Sequence, residues 1–187
     1  MGSGKNYVSE KLLYPNLPKK NTIFMAFADH FKIDACIKYG INYSKVFHEK
    51  DYNSRQLLQK LGAEGRDKDK NWWVNVIDTW IRTYNERGME RFIITDVRYP
   101  NEVKWLKSKG GILIKIDAPK RTLKKLKEEN NNDKEKIKKT INHKSERLIN
   151  EPEISNQIDY IIDNDKSNVL EQIKNLIKKM ENNLNKN

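Results

Sequence analysis

The chain has 187 residues and a formal net charge of +11, with 36% hydrophobic and 34% charged residues. Its 4 Trp, 8 Tyr and 5 Phe argue against an intrinsically disordered chain, because disordered sequences are poor in aromatic residues. No apolar run approaches the roughly 20 residues that span a bilayer. The residues after Met1 do not resemble a signal peptide, so we expect neither a membrane protein nor a secreted one. The single cysteine, Cys36, cannot form an internal disulfide, and a cytoplasmic location is the expectation.

The positive charge does not by itself predict nucleic-acid binding. Lysine is spread along the whole chain together with asparagine, a combination that an AT-rich coding sequence produces without selection for binding. Arginine is scarce, and its guanidinium grips phosphate with a bidentate geometry that lysine cannot reproduce. The better candidates for phosphate contacts are therefore the arginines, namely Arg55, Arg66, Arg82, Arg87, Arg91, Arg98, Arg121 and Arg147.

Hydrophobic periodicity predicts short strands that alternate with amphipathic helices. The first predicted strand covers residues 22–27. A helix at about 29–39 follows and ends at Gly40, since glycine favours the residue just after a helix. A second helix at 53–61 has Asn53 as its cap.

The clearest predicted helix comes next, because its apolar residues recur every three or four positions from Trp73 to Tyr84. The remaining elements are a strand at 91–95, a helix from Pro100 to Gly110, strands at 112–116 and 158–162, and a helix at 169–180. Strands separated by helices predict one α/β domain over 1–187, with a mostly parallel sheet covered on both faces. Within it, the Lys/Glu/Asn-rich stretch at 119–147 is either a solvated helical excursion or a mobile lid.

The most informative short motif is Gly2-Ser3-Gly4-Lys5, and its first three residues are here named the glycine loop. Glycines let successive backbone N–H groups curl around phosphate oxygens, and the lysine then reaches the β and γ phosphates of a nucleotide. A helix from Asn6 to Leu13 would add the positive end of its dipole. The full motif is G-x-x-x-x-G-K-[ST], and the chain has only its last part, with Asn6 in place of the hydroxyl residue that holds Mg²⁺. The same four residues are also typical of an expression linker.

A second candidate site follows the apolar run at 92–95, which ends in Asp96. Open α/β sheets bind ligands at the carboxyl ends of their strands, where phosphotransferases place a carboxylate that positions Mg²⁺ or the nucleophile. The alternative interpretation is an aspartate that caps a turn. Arg98 lies two residues further, and we expect it in the same crevice as a phosphate ligand.

Several segments, in the same order, are similar to one enzyme family, the phage-type deoxynucleoside monophosphate kinases. Ser3-Gly4-Lys5-Asn6-Tyr7-Val8 resembles the S-G-K-D-x-V opening of that family. Asp96-Val97-Arg98-Tyr99-Pro100-Asn101-Glu102, with Gly110-Gly111 after it, resembles the D-V-R-F-P-N-E…G-G block. The other similar segments are Phe27-Ala28-Asp29 with Lys32, the run 55–62 with Arg66 and Trp73, His143-Lys144-Ser145-Glu146, and 159–164. The animal-type phosphomevalonate kinases are more distantly similar.

The resemblance implies a P-loop NTPase fold, three layers of α/β/α, that transfers the γ-phosphoryl group of ATP to a (deoxy)nucleoside 5′-monophosphate with Mg²⁺. The catalytic residues would be Lys5, Asp96 and Arg98, with ATP bound by Gly2, Ser3, Gly4, Lys5 and Asn6. Asp96 would also hold Mg²⁺, directly or through water. The acceptor would be bound by Lys32, Arg55, Arg66 and Arg98, and a lid would contribute Arg121, His143, Glu146 and Arg147. We expect small-molecule nucleotides as partners, and neither nucleic acid nor membranes. A homodimer is one of the possible oligomeric states. If the chain is viral, it would act in the host cytoplasm.

Two departures from the family pattern matter. Asn6 carries a neutral amide where the family has an aspartate. The strand before the loop, central in the sheet of P-loop kinases, is absent from a chain that starts at Met1, which implies either an upstream start or a truncated copy. We therefore expect four strands in place of five, with 92–95 and 112–116 either two strand spacings apart or directly paired. We also expect a poorly anchored glycine loop, low stability and weak kinase activity.

Two other functions are weighed against this one. The first keeps the fold and the ATP site but takes a small phosphorylated metabolite, such as phosphomevalonate, as the acceptor. The second is a basic nucleic-acid-binding module with a decayed nucleotide site. Specific nucleic-acid binding concentrates charge on one face, whereas lysine here is dispersed. A steep salt dependence of binding would identify the nucleic-acid module.

Overall fold

The computed structural model describes residues 2–48, 52–142 and 144–184, which form a mixed α/β structure, mostly helical, with short parallel strand pairs. The strands are β1 (Thr22–Met25), β2 (Arg91–Ile94), β3 (Ile114–Asp117) and β4 (Tyr160–Asp163). The helices are α1 (Lys5–Tyr7), α2 (Ala28–Tyr39), α3 (Tyr43–Phe47), α4 (Tyr52–Lys68), α5 (Trp72–Glu86), α6 (Pro100–Ser108), α7 (Pro119–Glu129), α8 (Lys134–Ile141), α9 (Lys144–Arg147), α10 (Pro152–Ser155) and α11 (Val169–Leu184). A π-helix covers Val8–Leu13, and 3₁₀ turns cover Tyr14–Asn16 and Leu148–Asn150.

The chain divides into two compact units. The central unit is Lys20–Trp105, and the terminal unit combines Met1–Lys19 with Leu106–Asn187, so the boundary falls inside α6. Each unit contains one parallel strand pair and its own apolar core.

In the central unit, β1 pairs in parallel with β2, from Thr22 opposite Arg91 to Met25 opposite Ile94. β1 ends two residues before the predicted limit at residue 27. The reason is local, because the Ala26 N–H donates to Oδ2 of Asp29 at 2.8 Å and the chain turns directly into α2. The start of α2 therefore lies at the carboxyl end of β1, the edge of the strand pair at which α/β proteins bind ligands.

Helix α5 contributes its apolar stripe to the central core, where Trp73 and Ile77 are buried in one cluster with Phe27. Nε1 of Trp73 donates to the carbonyl of Gly62 at 2.9 Å. The same ring occupies the space where a Cβ on Gly65 would lie, 2.5 Å from Cζ2. The helix predicted from the 3.6-residue period is confirmed over Trp72–Glu86, and Trp73 and Ile77 of its stripe are buried, whereas Trp80 is exposed.

In the terminal unit, β3 pairs in parallel with β4, from Ile114 opposite Tyr160 to Asp117 opposite Asp163. Helix α11 and the π-helix pack on this pair, and Val8, Ile162 and Ile173 are buried together in the core. The stripe predicted for the last helix is confirmed, because its apolar side chains include Ile173, Leu176 and Ile177 of that core.

The described residues form four strands, the number expected from the sequence, and each pair is internally parallel; they form two separate pairs, however, and not the one sheet that was expected. Direct pairing of residues 92–95 with 112–116 is wrong for the described residues, because β2 is bonded to β1 and β3 to β4, in two separate two-stranded sheets. Along the described ranges, no helix combines the length and the apolar character needed to cross a bilayer.

Candidate functional site

The glycine loop lies in the terminal unit and has a backbone conformation that favours glycine. Gly2 and Gly4 have φ values of +74° and +80°, a region in which an L side chain is strained. Space is restricted as well, because a Cβ on Gly4 would lie 2.5 Å from Nδ2 of Asn164 and 3.1 Å from Nη1 of Arg121. Gly4 is therefore required both for its φ value and for the close approach of two side chains.

Asn164 anchors the loop from the end of β4. Asn164 is only 5% exposed, and its Nδ2 donates to the carbonyl oxygen of Ser3 at 2.7 Å. The backbone N–H of Asn164 donates to the carbonyl of Asp117 at 2.7 Å, which fixes the anchor itself on the strand pair. The expectation of a poorly anchored loop is thus wrong at Ser3 and Gly4, because a side chain 161 positions away holds them.

Arg121 lies at the beginning of α7, beside the glycine loop. The N–H groups of Lys120 and Arg121 donate to Oδ2 and Oδ1 of Asp165, at 2.7 and 3.1 Å, so Asp165 caps this helix. The cap fixes the first turn from which the Arg121 side chain extends. A residue assigned to the lid by resemblance therefore places its guanidinium next to the loop, where it adds the positive charge that a phosphate group requires.

Lys5 follows the loop as the first residue of α1 and is half-buried, whereas Asn6 is exposed. The helix predicted from Asn6 to Leu13 is present, but it is α-helical only as far as Tyr7 and continues as a π-helix over Val8–Leu13. Val8 is fully buried in the terminal core. The loop is consequently held on both sides, by Asn164 and by the buried helical run after Lys5.

The remaining lid residues fall in the helical segment α7–α9 of the same unit. Arg147 is exposed and ends α9, and Glu146 precedes it on that helix. His143 lies outside the described residues. The stretch predicted as a solvated excursion or a lid is helical over Pro119–Glu129 and Lys134–Ile141, and its role as a lid stays a prediction.

Asp96 follows β2 in the central unit, and its carboxylate caps the start of α2. Oδ1 accepts the Phe27 N–H at 2.7 Å, and Oδ2 accepts the Ala28 N–H at 2.9 Å. The structure therefore has the capping arrangement that the sequence left as the alternative. Each carboxylate oxygen retains a second lone pair, so the cap is compatible with a further contact to a water molecule.

Glu102 is a buried carboxyl group in the same unit, 4% exposed. Its Oε2 accepts the N–H groups of Arg98 and Tyr99 at 2.7 and 3.0 Å, which fixes the turn between β2 and α6. Burial, followed by the nearby Asp96 carboxylate, raises the pKa of Glu102 to about 8, although the two N–H bonds and Arg66 oppose the rise. The sequence analysis gave Glu102 no role. Its position as the third residue of α6 was the available signal, because an acid there commonly accepts the N–H groups that precede a helix.

Arg66 and Arg98 are brought to this turn together. The Arg66 guanidinium lies 4.2 Å from the centroid of the Tyr99 ring, and Tyr99 is the neighbour of Arg98 in the chain. Arg66 is also close enough to Glu102 to affect its pKa. Two of the predicted acceptor ligands thus flank one turn at the carboxyl end of β2.

Lys32 and Arg55 are placed differently. Nζ of Lys32 lies 2.8 Å from Oδ1 of Asp29 and 4.9 Å from the Phe47 ring centroid, and its side chain is only 12% exposed. The ammonium group has three N–H donors, so an acceptor phosphate bound by Lys32 would share it with Asp29. Arg55 is half-buried on α4, eleven positions before Arg66 and hence roughly 16 Å away along the helix axis. The two arginines of α4 therefore suit different parts of a ligand rather than one phosphate.

No protein-family model, curated protein or solved structure matches the chain. Among the described side chains, no group of three or more His, Cys, Asp or Glu converges as a metal site. Each unit therefore has its own candidate site. In the terminal unit it is the glycine loop with Lys5, Arg121 and Asn164, and in the central unit it is the turn after β2 with Asp96, Arg98, Arg66 and Glu102.

Proposed function

We propose that this chain is a P-loop kinase that transfers the γ-phosphoryl group of ATP to a (deoxy)nucleoside 5′-monophosphate. The observation that carries the proposal is the glycine loop, with Gly2 and Gly4 at positive φ, an anchor behind it, and Lys5 directly after it. Backbone N–H groups at alternating glycines favour an anion, and the Arg121 guanidinium beside Gly4 adds charge of the same sign. The triphosphate of ATP is an anion of the kind that these N–H groups and the guanidinium favour.

The acceptor part of the proposal rests on the turn after β2. Phosphoryl transfer needs little covalent chemistry from the protein, since alignment of the two phosphates and neutralisation of their charge provide most of the catalysis. Arg98 would bind the acceptor phosphate, with Arg66 held near the same turn by its contact with Tyr99. Glu102 would keep the Arg98 backbone in place.

Mg²⁺ would be held by few protein atoms. The described residues contain no cluster of three acidic or His side chains, and Mg²⁺ at nucleotide sites is commonly bound by one or two carboxylates, phosphates and waters. Both Asp96 oxygens already accept an N–H, so the residues fit a magnesium held through water. Bound Mg²⁺ neutralises charge on the phosphate oxygens.

The test examines ATP binding and acceptor use in separate measurements. Calorimetry with Mg-ATP should detect binding to the purified chain that Lys5→Ala removes and that Lys11→Ala, at an exposed position of the same helical run, retains. An ADP-release assay with a panel of nucleoside monophosphates and phosphomevalonate should then show stimulation by a nucleotide.

Absence of Mg-ATP binding at millimolar concentrations would overturn the proposal. Stimulation of ADP release by phosphomevalonate alone would reassign the acceptor. Salt-sensitive binding of nucleic acid without any nucleotide binding would favour the nucleic-acid module.

A further inference from the structure

The contact between Asn164 and Ser3 has a consequence for the orientation of one peptide group. The Ser3 carbonyl and the Gly4 N–H belong to the same peptide, and in a trans peptide these two groups point in opposite directions. Because Nδ2 of Asn164 holds the carbonyl at 2.7 Å, the Gly4 N–H is directed away from Asn164. Rotation of this peptide by half a turn would instead bring the N–H to the side of Asn164 and break the bond to the Ser3 carbonyl.

The anchor is rigid enough to impose this orientation. Asn164 is buried, and its backbone N–H is bonded to Asp117 at the end of β3, so its position is set by the strand pair rather than by the loop. Gly4 permits the contact, since a Cβ at this position would lie 2.5 Å from Nδ2. The bond therefore forms only while residue 4 has no side chain.

The next residue orients the cation beside the loop. Asp165 accepts the N–H groups of Lys120 and Arg121 and so fixes the first turn of α7. Two adjacent residues therefore act on the two sides of the site: Asn164 orients the Ser3–Gly4 peptide, and Asp165 fixes the helical turn that carries Arg121.

We propose that Asn164 is a positioning residue of the phosphate site: it turns the Gly4 N–H toward a bound triphosphate without touching the nucleotide. This inference rests on the proposed function, because it identifies the ligand as the phosphate chain of Mg-ATP. Asn164 orients the Gly4 N–H before the ligand binds. The affinity is then higher than for a flexible loop, because a flexible loop would lose conformational entropy when it orders this donor on binding.

The experiment compares three variants of the full chain. Asn164→Asp has nearly the same shape but presents an acceptor to the Ser3 carbonyl, and Asn164→Ala removes the donor without adding charge. Asn130→Asp is the matched control, because Nδ2 of Asn130 also donates to a backbone carbonyl, that of Leu126 at 2.8 Å, in the same unit. Calorimetry measures the affinity of each for Mg-ATP and for Mg-tripolyphosphate, and urea unfolding without ligand measures stability.

Both Asn164 variants should bind Mg-ATP roughly tenfold more weakly than the wild type, the scale expected for one lost hydrogen bond. The same factor should appear with tripolyphosphate, which has no base or sugar, while Asn130→Asp binds both as the wild type does. A purely structural role would lower stability and leave the affinity of the folded molecules unchanged, and that result would overturn the inference. If Asn164→Asp does not fold, Asn164→Ala decides by the same criterion. A wild type that binds neither probe would instead overturn the proposed function.

Discussion

Replacement of Gly4 by alanine should destabilise the chain through two separable effects. The first is conformational, because a residue with a Cβ at φ +80° costs about 1–2 kcal/mol relative to glycine. The second is steric, because the new Cβ would lie 2.5 Å from Nδ2 of Asn164 and force that amide away from the Ser3 carbonyl. Loss of a buried hydrogen bond adds about 1–3 kcal/mol, so the free energy of unfolding should fall by about 2–5 kcal/mol in total.

Gly110 offers a control within the same unit. It has a φ of +70°, and a Cβ added there meets no heavy atom within 4 Å. Gly110→Ala should therefore show the conformational cost of about 1–2 kcal/mol alone. Urea unfolding followed by far-UV circular dichroism is the suitable assay, because all 4 Trp lie in the central unit and their fluorescence reports on that unit only. Equal losses of stability in Gly4→Ala and Gly110→Ala would refute the argument from the Asn164 contact.

Three further predictions concern charge. Folding raises the pKa of Glu102 from 4.5 to about 8, so the native state binds a proton that the unfolded chain lacks between these values, and stability should fall as pH rises from about 4.5 to about 8. Glu102→Gln keeps an acceptor oxygen and should remove this slope, with a larger free energy of unfolding than the wild type at pH 8.5, measured in urea. Lys5→Ala should abolish Mg-ATP binding in calorimetry while the chain still unfolds cooperatively in urea. Arg98→Lys should weaken acceptor binding by roughly ten- to a hundredfold, as expected when a charged bidentate contact of about 1.5–3 kcal/mol is lost, with Mg-ATP affinity retained.

Each of these predictions has a result that contradicts it. An equal pH slope in the wild type and Glu102→Gln would place the titration on another group. Unchanged Mg-ATP affinity in Lys5→Ala would remove the phosphate-loop assignment. If Arg98→Lys altered only ATP binding, Arg98 would belong to the donor part; Arg87→Lys, at an exposed position after α5, controls for the loss of an arginine elsewhere in the central unit.

Three carboxylates around the turn after β2 each accept backbone N–H groups. Asp29 accepts the Ala26 N–H, Asp96 accepts those of Phe27 and Ala28, and Glu102 binds the two N–H groups before α6. These contacts fix the ends of β1 and β2 relative to the helices that follow them. A site organised in this way favours chemistry carried by cations and backbone N–H groups, which agrees with the needs of phosphoryl transfer.

Most elements of the fold could be predicted from the sequence because their signals are local, although α3 was not predicted and α4 continues past its predicted end at residue 61 to Lys68. The stripe of α5 repeats within a few residues, and burial of one helix face is a direct result of that period. The strand runs were located for the same reason, although β3 and β4 each begin two residues later than predicted. The glycine loop was also identifiable, since glycine readily adopts positive φ values and both Gly2 and Gly4 have them.

The tertiary structure alone decided what each polar side chain in the candidate site does. The bond from Asn164 to Ser3 joins residues 161 positions apart, and the bond from Phe27 to Asp96 joins residues 69 apart, distances at which no local pattern carries information. The capping role of Asp96, the burial of Glu102 and the place of Arg121 beside the loop arise from packing within each unit. A hydrogen bond depends on the separation and direction of two groups, and only the folded chain sets these for groups that are distant in sequence.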